Sequence, residues 1–206
     1  ESFGELPLAF VGVFSSIGML VTYKKTGRII DNIHTLGFGF LTVYHSFVGG
    51  MLVKVHTNIN VILTLVICVG LILTMLLLVH KVPKENYGLL RKVSIIGSVL
   101  AIAAVLVITV IKMFWGWLRF RSMQDNLNQF SPWYLPQGFT TNNEYMSLPL
   151  GHSANSSVII MITLLPYLYP RLNKSRKLFY AVSILWILCV MISRIIVGAH
   201  FASDVT

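Results

Sequence analysis

The sequence predicts an all-α fold, a polytopic bundle of transmembrane helices. Hydrophobic residues make up 55% of the 206 residues and charged residues only 11%, whereas about 25% of the residues of a soluble domain are charged. The mean hydropathy is +0.76. Long stretches contain no acidic or basic residue, and the basic residues collect in the linkers between those stretches. These observations indicate a membrane protein with several spans.

Six stretches without Asp, Glu, Lys or Arg approach the length of about 20 residues that a helix needs to cross the bilayer core. They are residues 6–23, 33–53, 58–80, 93–111, 153–170 and 178–193. A seventh span begins near His200 and stops at Thr206, and the chain opens on Glu1 without a methionine. We therefore expect one membrane domain over residues 1–206, truncated at both ends.

The basic residues predict the orientation in the membrane. Eleven of the 16 lie in three linkers, which fall on the same side if the spans alternate: Lys24, Lys25, Arg28, Lys81, Lys84, Arg91, Lys92, Arg171, Lys174, Arg176 and Lys177. By the positive-inside rule that side is the cytoplasm. The net charge of +9 then reflects topology and argues against nucleic acid as a partner. The other five, Lys54, Lys112, Arg119, Arg121 and Arg194, lie on the outer face and need another explanation.

Some features of the spans and loops are predicted to serve packing. Small residues let membrane helices approach closely, and the second span contains four glycines, Gly37, Gly39, Gly49 and Gly50. His45 in the same span is predicted to be a hydrogen-bonded packing residue rather than a proton relay. The polar stretch 117–149, rich in Asn, Gln, Pro and aromatic residues, predicts an ordered cap at the outer interface.

The segment 193–204, near the end of the sequence, carries an arginine, a histidine and an aspartate at spacings that suit phosphate chemistry. On a helix His200 and Asp204 lie on one face, where the carboxylate can accept the Nδ1 proton of the imidazole and leave Nε2 free to attack. The planar guanidinium of Arg194 suits a pair of phosphoryl oxygens. The alternative is a purely structural ion pair between Asp204 and Arg194.

Two further clusters fall on the same outer face. Lys112 and Arg119 lie at the outer end of the fourth span, where snorkelling cations are the alternative interpretation. Gly151 and His152 begin the fifth span, where free N–H groups and the helix dipole attract an anion and a glycine lets a phosphate approach the main chain. A histidine there can also be a simple cap.

Taken together, these residues resemble the signature of the type 2 phosphatidic acid phosphatase superfamily, which also contains the vanadium haloperoxidases. The family pattern is Lys, six residues, Arg-Pro; then Pro-Ser-Gly-His; then Ser-Arg, five residues, His, three residues, Asp. The matching residues, all within 112–204, are Lys112 and Arg119, then Pro149, Gly151 and His152, then Ser193, Arg194, His200 and Asp204. The flanking sequences resemble the bacterial, integral membrane branch.

The resemblance implies a helical core of the phosphatase and haloperoxidase type and a role for each site residue. His200 is the nucleophile that forms a phosphohistidine, Asp204 holds its tautomer, and His152 protonates the leaving oxygen and then activates water. The phosphate is bound by Lys112, Arg119, Arg194 and the Gly151 N–H. The hydrolysis then requires no metal and no cofactor.

The resulting prediction is a multi-pass cell-membrane hydrolase with its active site on the extracytoplasmic side. The substrate is a lipid phosphate or diphosphate of the undecaprenyl diphosphate, phosphatidic acid or phosphatidylglycerophosphate type, and the surrounding partners are membrane lipids. Two positions depart from the pattern: Phe120 replaces the proline of the first motif and Leu150 the serine of the second. Loss of one oxyanion-type donor can cost on the order of a hundredfold in rate. Leu150 therefore keeps a second hypothesis open, a non-catalytic phosphate- or lipid-binding membrane protein or transporter.

Overall fold

A computed structural model describes residues 2–123, 131–132, 134–146 and 151–197. Over these ranges the chain is helical and forms no β-strand. The helices are α1 (Leu6–Thr22), α2 (Ile29–Thr57), α3 (Val61–His80), α4 (Tyr87–Trp115), α5 (Gly151–Ser157), α6 (Leu165–Leu168) and α7 (Arg176–Ile196). A 3₁₀ segment, Val158–Leu164, joins α5 to α6, and a 3₁₀ turn, Ser2–Glu5, precedes α1. The all-α prediction is confirmed.

Four of the described helical stretches are long and apolar enough to cross a membrane. They are Ile29–Thr57, Val61–His80, Lys84–Trp115 and Pro170–Ile196. Two more, Leu6–Thr22 and Ser153–Leu168, are apolar but shorter. A membrane helix bundle is therefore confirmed, while the count of six spans and the start of a seventh stays a prediction. The seventh begins in residues 198–206, outside the described part of the chain.

Helix α1 forms the centre of the bundle. It packs against α2, α3, α4 and the 3₁₀ segment 158–164, and Leu8, Ala9, Val13 and Ile17 are at most 4% exposed. Because α1 is apolar on all sides, its neighbours bury it on several sides at once. The 3₁₀ turn before α1 packs against α5. We call this end of the bundle the outer end and the opposite one the inner end, after the orientation that the positive-inside rule predicts.

Close contacts between α2 and its neighbours depend on small residues. A Cβ added to Gly49 would lie 3.1 Å from the Cβ of Ala9, and one added to Gly50 would lie 2.4 Å from the Sγ of Cys68. These two glycines serve the predicted role. The prediction for Gly37 and Gly39 is wrong within the described residues, because nothing there lies within 4 Å of an added Cβ.

His45 packs directly on α1. Its Nδ1 donates to the Leu41 carbonyl at 2.7 Å, and the side chain is 4% exposed. A Cβ added to Gly12 of α1 would lie only 2.3 Å from the Cδ2 atom of the His45 ring. The predicted hydrogen-bonded packing role is therefore confirmed.

We expect Gly12→Ala to destabilise the bundle by about 1–3 kcal/mol, because the added methyl group must displace a buried, hydrogen-bonded ring. The matched control is Gly37→Ala, the same change in a helix where the methyl group meets nothing described within 4 Å. The control should be neutral or slightly stabilising, since alanine favours the helix. Thermal unfolding in detergent measures both. Equal melting temperatures for the two variants would contradict the close α1–α2 packing.

The connection between α2 and α3 is short, because α2 continues to Thr57 and α3 begins at Val61. The C-cap of α2 is Asn58, which has a φ of 51° and donates its N–H to the Lys54 carbonyl at 3.0 Å. Asn60 then caps α3 by accepting a hydrogen bond from the Leu63 N–H at 2.8 Å, as asparagine does at many helix starts.

The inner linker between α1 and α2 folds around one carboxylate. Asp31 accepts hydrogen bonds from the N–H groups of Thr26 at 2.8 Å and Gly27 at 2.7 Å and from the Tyr23 hydroxyl at 2.9 Å. The bond to Asp31 raises the pKa of Tyr23 above its ordinary value, because ionisation would break it. This network fixes the linker to the first turn of α2, where Asp31 lies.

The fifth predicted span is not a continuous α-helix. Val158–Leu164 is a 3₁₀ segment, and the Leu165 N–H donates to the Ile162 carbonyl, an i to i+3 bond. Pro166 has no N–H to offer that carbonyl, so the tighter turn replaces the missing α-helical bond.

Candidate active site

The predicted site residues that the structure describes lie at the outer end of the bundle. Alternation of the helices brings together the end of α4, the start of α5 and the end of α7, and α5 packs against both α4 and α7. The three motifs of the sequence therefore meet through α5.

Lys112 and Gly151 are in direct contact. Lys112 lies in the last turn of α4, and Gly151 is the buried first residue of α5. A Cβ on Gly151 would lie 3.1 Å from the Nζ of Lys112 and 3.6 Å from its Cε. The absence of a side chain thus makes room for an ammonium group beside the backbone where α5 begins. This joins the first motif to the second.

Arg194 occupies the last turn of α7 and is only 4% exposed. Burying a guanidinium is costly unless hydrogen bonds and opposite charge compensate it, so a buried arginine at this depth indicates a site with a defined polar partner. Val190, one turn earlier on the same face, contacts the N-terminal turn, because its Cγ1 lies 3.0 Å from the Cβ position of Gly4.

Arg119 follows the end of α4 and is held by the outer loop. The helix stops at Gly116, which has a φ of 64°, and a Cβ there would lie 2.3 Å from the Gly138 carbonyl oxygen. The Arg119 N–H donates to the Glu144 carbonyl at 2.9 Å. The Ser122 hydroxyl donates to the carboxylate of the same glutamate. The backbone around Arg119 is therefore tied to the far side of the loop.

The described parts of the outer loop pack over the end of α4, while the predicted cap at the outer membrane interface stays a prediction. Trp117 is 1% exposed, and its Nε1 donates to the Ser131 carbonyl at 2.6 Å. The N–H of Gln137 donates to the Trp115 carbonyl and that of Thr140 to the Met113 carbonyl, both at 2.8 Å. The loop thus pairs with the last turn of α4, which carries Lys112.

Three of the predicted catalytic residues lie partly or wholly outside the part of the chain that the structure describes. His152 lies in α5 next to Gly151, but its side chain is not among the described ones. His200 and Asp204 lie in residues 198–206, which are outside the described ranges, as is Leu150. The predicted nucleophile and its aspartate therefore stay predictions.

Two polar residues at this end were missed by the sequence reasoning. Asn155 lies one turn after Gly151 in α5, and its Nδ2 donates to the Oε1 of Glu5 at 3.3 Å. Glu5 ends the 3₁₀ turn that contacts α7 through Gly4. The signal available in the sequence was an asparagine one helical turn from the glycine of a motif. Its partner lies 150 residues away, which no local pattern predicts.

The fold and these contacts define a class, a helical membrane protein in which α4 and α7, each carrying a cation of a three-part phosphate motif near its end, both pack against α5. The chain belongs to the PAP2 superfamily, whose family model matches residues 92–206. This confirms the resemblance to the type 2 phosphatidic acid phosphatases, while assignment to their bacterial branch stays a prediction. No curated protein and no solved structure matches the chain significantly. Members of the superfamily are generally phosphatases that act on phosphate esters, so the match supports a hydrolase.

Proposed function

We propose that this protein is an integral membrane phosphatase that hydrolyses a lipid phosphate or diphosphate at the outer face of the cell membrane. The observation that carries the proposal is the contact of Lys112 with Gly151 at the end of the bundle where Arg194 is buried. Cations aligned with free backbone N–H groups stabilise the charge on a transferring phosphoryl group. Membership of the PAP2 superfamily supports the reaction class.

The proposed reaction has two steps. His200 Nε2 attacks phosphorus, and the bond to the leaving oxygen breaks as His152 donates a proton to that oxygen. A water molecule, which loses a proton to His152, then attacks the phosphohistidine, and phosphate leaves as the P–N bond breaks. Asp204 accepts a hydrogen bond from the Nδ1–H of His200, which keeps the proton on Nδ1 and leaves Nε2 available. No metal takes part in this scheme.

The phosphate-binding groups neutralise the oxygens that do not react. Arg194 offers a planar fork of N–H donors, Lys112 a compact charge, and Arg119 a second guanidinium from the cap. The Gly151 N–H adds an uncharged donor beside Lys112. Together they bring three positive charges to a dianion, which is the contribution that a metal ion makes in many other phosphatases.

The predicted position of the site at the membrane boundary supports a lipid substrate. Exposed apolar side chains cover the membrane helices next to it, among them Val107 and Val110 on α4 and Ile192 and Ile195 on α7. A headgroup bound at the outer ends of these helices leaves its chain beside apolar surface. The outer orientation rests on the positive-inside rule. Undecaprenyl diphosphate, phosphatidic acid and phosphatidylglycerophosphate all have the required chemistry.

Release of phosphate by the purified protein tests this function. The panel is the three lipids named above and a water-soluble phosphate ester, each assayed in detergent micelles with a chelator present. We expect release from at least one lipid, and Lys112→Gln should lower it about a hundredfold, because one charge-stabilising donor is lost. Lys54→Gln is the matched control, since Lys54 is an outer-face lysine at the end of α2 with no place in a motif.

Two results would contradict the proposal. If the parent protein releases phosphate from none of the lipids but retains them on a binding column, it is a binding protein or transporter, the alternative favoured by Leu150 in place of serine. If Lys112→Gln and Lys54→Gln lower the rate equally, Lys112 does not bind the reacting phosphate.

A further inference from the structure

A groove opens at the inner end of the bundle, opposite the candidate active site. One wall is the end of α3 and the turn that follows it, and the other is the connection from α6 to α7. The cavity measures about 630 Å³ and is lined by Leu78, Lys81, Pro83, Leu165, Tyr169, Pro170, Arg171 and Leu172. We call it the inner groove. It lies where α3 ends and α4 is about to begin, whereas Lys112 lies in the last turn of α4, so it is separate from the candidate active site.

The inner groove is closed on one side by a specific contact. The Tyr169 hydroxyl donates to the Leu78 carbonyl at 2.6 Å, which ties the α6–α7 connection to α3. Nearby, the Asn86 Nδ2 donates to the Leu168 carbonyl at 3.1 Å. These two bonds hold the groove walls at a fixed separation, so the cavity is built into the fold.

The rim of the inner groove is cationic. Lys81 and Arg171 both line it, and no acidic side chain does. Both side chains are exposed, and over the described ranges no hydrogen bond or ion pair to either charged group is recorded. The positive-inside rule explains why basic residues lie at the inner end of the bundle. It does not explain why two of them flank a cavity. An anion with at least two oxygens suits the pair, because arginine binds such groups with a planar fork and lysine as a point charge.

An apolar furrow continues from the inner groove along the side of the bundle. A cavity of about 120 Å³ shares Leu78 and Leu165 with the groove and reaches Phe14 of α1. A further cavity of about 360 Å³ overlaps it at Phe10 and Met75. The furrow is therefore lined by side chains that suit a hydrocarbon chain, and its inner end opens at the two cations.

We propose that the inner groove binds an anionic phospholipid of the inner leaflet, with its phosphate between Lys81 and Arg171 and an acyl chain in the apolar furrow. Cationic pockets between membrane helices on the cytoplasmic side recognise anionic headgroups in this way. The lipid is bound and not hydrolysed, because the motif residues that the structure describes, among them Lys112, Gly151 and Arg194, lie at the opposite end of the bundle. The site therefore goes beyond the proposed function and does not depend on it.

Native mass spectrometry of the full chain, released from nanodiscs of phosphatidylcholine and phosphatidylglycerol in equal parts, tests the proposal. We expect the parent protein to retain phosphatidylglycerol in preference to phosphatidylcholine. The double variant Lys81→Gln/Arg171→Gln should retain on the order of tenfold less, as expected for two basic contacts at a membrane surface. The matched control is Lys174→Gln/Lys177→Gln, which removes two exposed charges from the same inner linker without touching the groove lining.

A second variant tests the furrow without changing charge. Leu165 lines both the inner groove and the first furrow cavity, so Leu165→Trp should fill the junction and lower phosphatidylglycerol retention, with a monodisperse profile on size exclusion as the folding check. Equal losses in the two double variants would overturn the proposal, since general surface charge would then explain binding. So would equal retention of the two lipids by the parent protein. A parent dimer without bound lipid that the groove variant converts to monomer would show instead that a second copy fills the groove.

Discussion

Replacement of His200 by alanine is expected to lower phosphate release by a factor of about 10⁴ or more, the scale seen when a catalytic nucleophile is removed. In the proposed mechanism the variant keeps the cations that bind phosphate and His152, but it lacks the side chain that forms the covalent intermediate. Substrate binding should change little, so the loss should be in kcat. Steady-state rates with the best lipid of the panel measure it.

Trapping the intermediate makes the same test sharper. After rapid quenching with base, labelled substrate should leave an acid-labile phosphoryl group on the parent protein and none on His200→Ala. His80→Ala is the control, since His80 is an exposed histidine at the inner end of α3 and belongs to no motif. Equal labelling of the His200→Ala variant would mean that another residue is the nucleophile.

The second large effect is expected for Arg194→Gln, which should lower kcat on the order of a thousandfold. The estimate follows from the upper range for a charge-stabilising donor, because the substitution removes two parallel N–H donors and a buried charge together. Glutamine is shorter than arginine but keeps the unbranched stem and a polar, uncharged head, so the last turn of α7 can retain its packing. The rate falls more than the affinity if Arg194 acts mainly on the transition state.

Arg176→Gln provides the matched control for this variant. Arg176 begins the same helix at the inner end, where its guanidinium lies 4.3 Å from the centre of the Tyr167 ring. Its loss should cost about 0.5–1 kcal/mol of stability and leave kcat unchanged. Thermal unfolding measured beside the kinetics separates the two effects. An Arg194→Gln protein with normal stability and normal kcat would remove Arg194 from the phosphate site.

The predicted helices agree with the structure where composition alone decides the outcome. The charge-free stretch 6–23 became α1 and 178–193 lies within α7, because apolar segments of this length have few alternatives in a membrane. The central position of α1 could not be predicted. A helix that is apolar on every side has no face that indicates its neighbours, and its burial depends on packing against three other helices, α2, α3 and α4.

In the candidate site, too, some contacts could be predicted from the sequence and others could not. Lys112 and Gly151 were singled out from motif spacing, and their contact required only that the ends of α4 and α5 meet. The hydrogen bond between Asn155 and Glu5 joins two segments whose separation in sequence hides it. The 3₁₀ segment after α5 was also missed, because the effect of Pro166 on the preceding turn depends on which carbonyl it leaves without a donor.

The central position of α1 limits how far the chain can be shortened without loss of its packing. The family match begins at residue 92, which lies inside α4, one turn after that helix starts. A fragment cut at that boundary would lose α1, α2 and α3, expose the faces of α4 and the 3₁₀ segment that pack on α1, and lose Glu5 beside Asn155. The smallest piece of this chain that can be purified for enzymology is therefore larger than the segment that carries the phosphatase motifs.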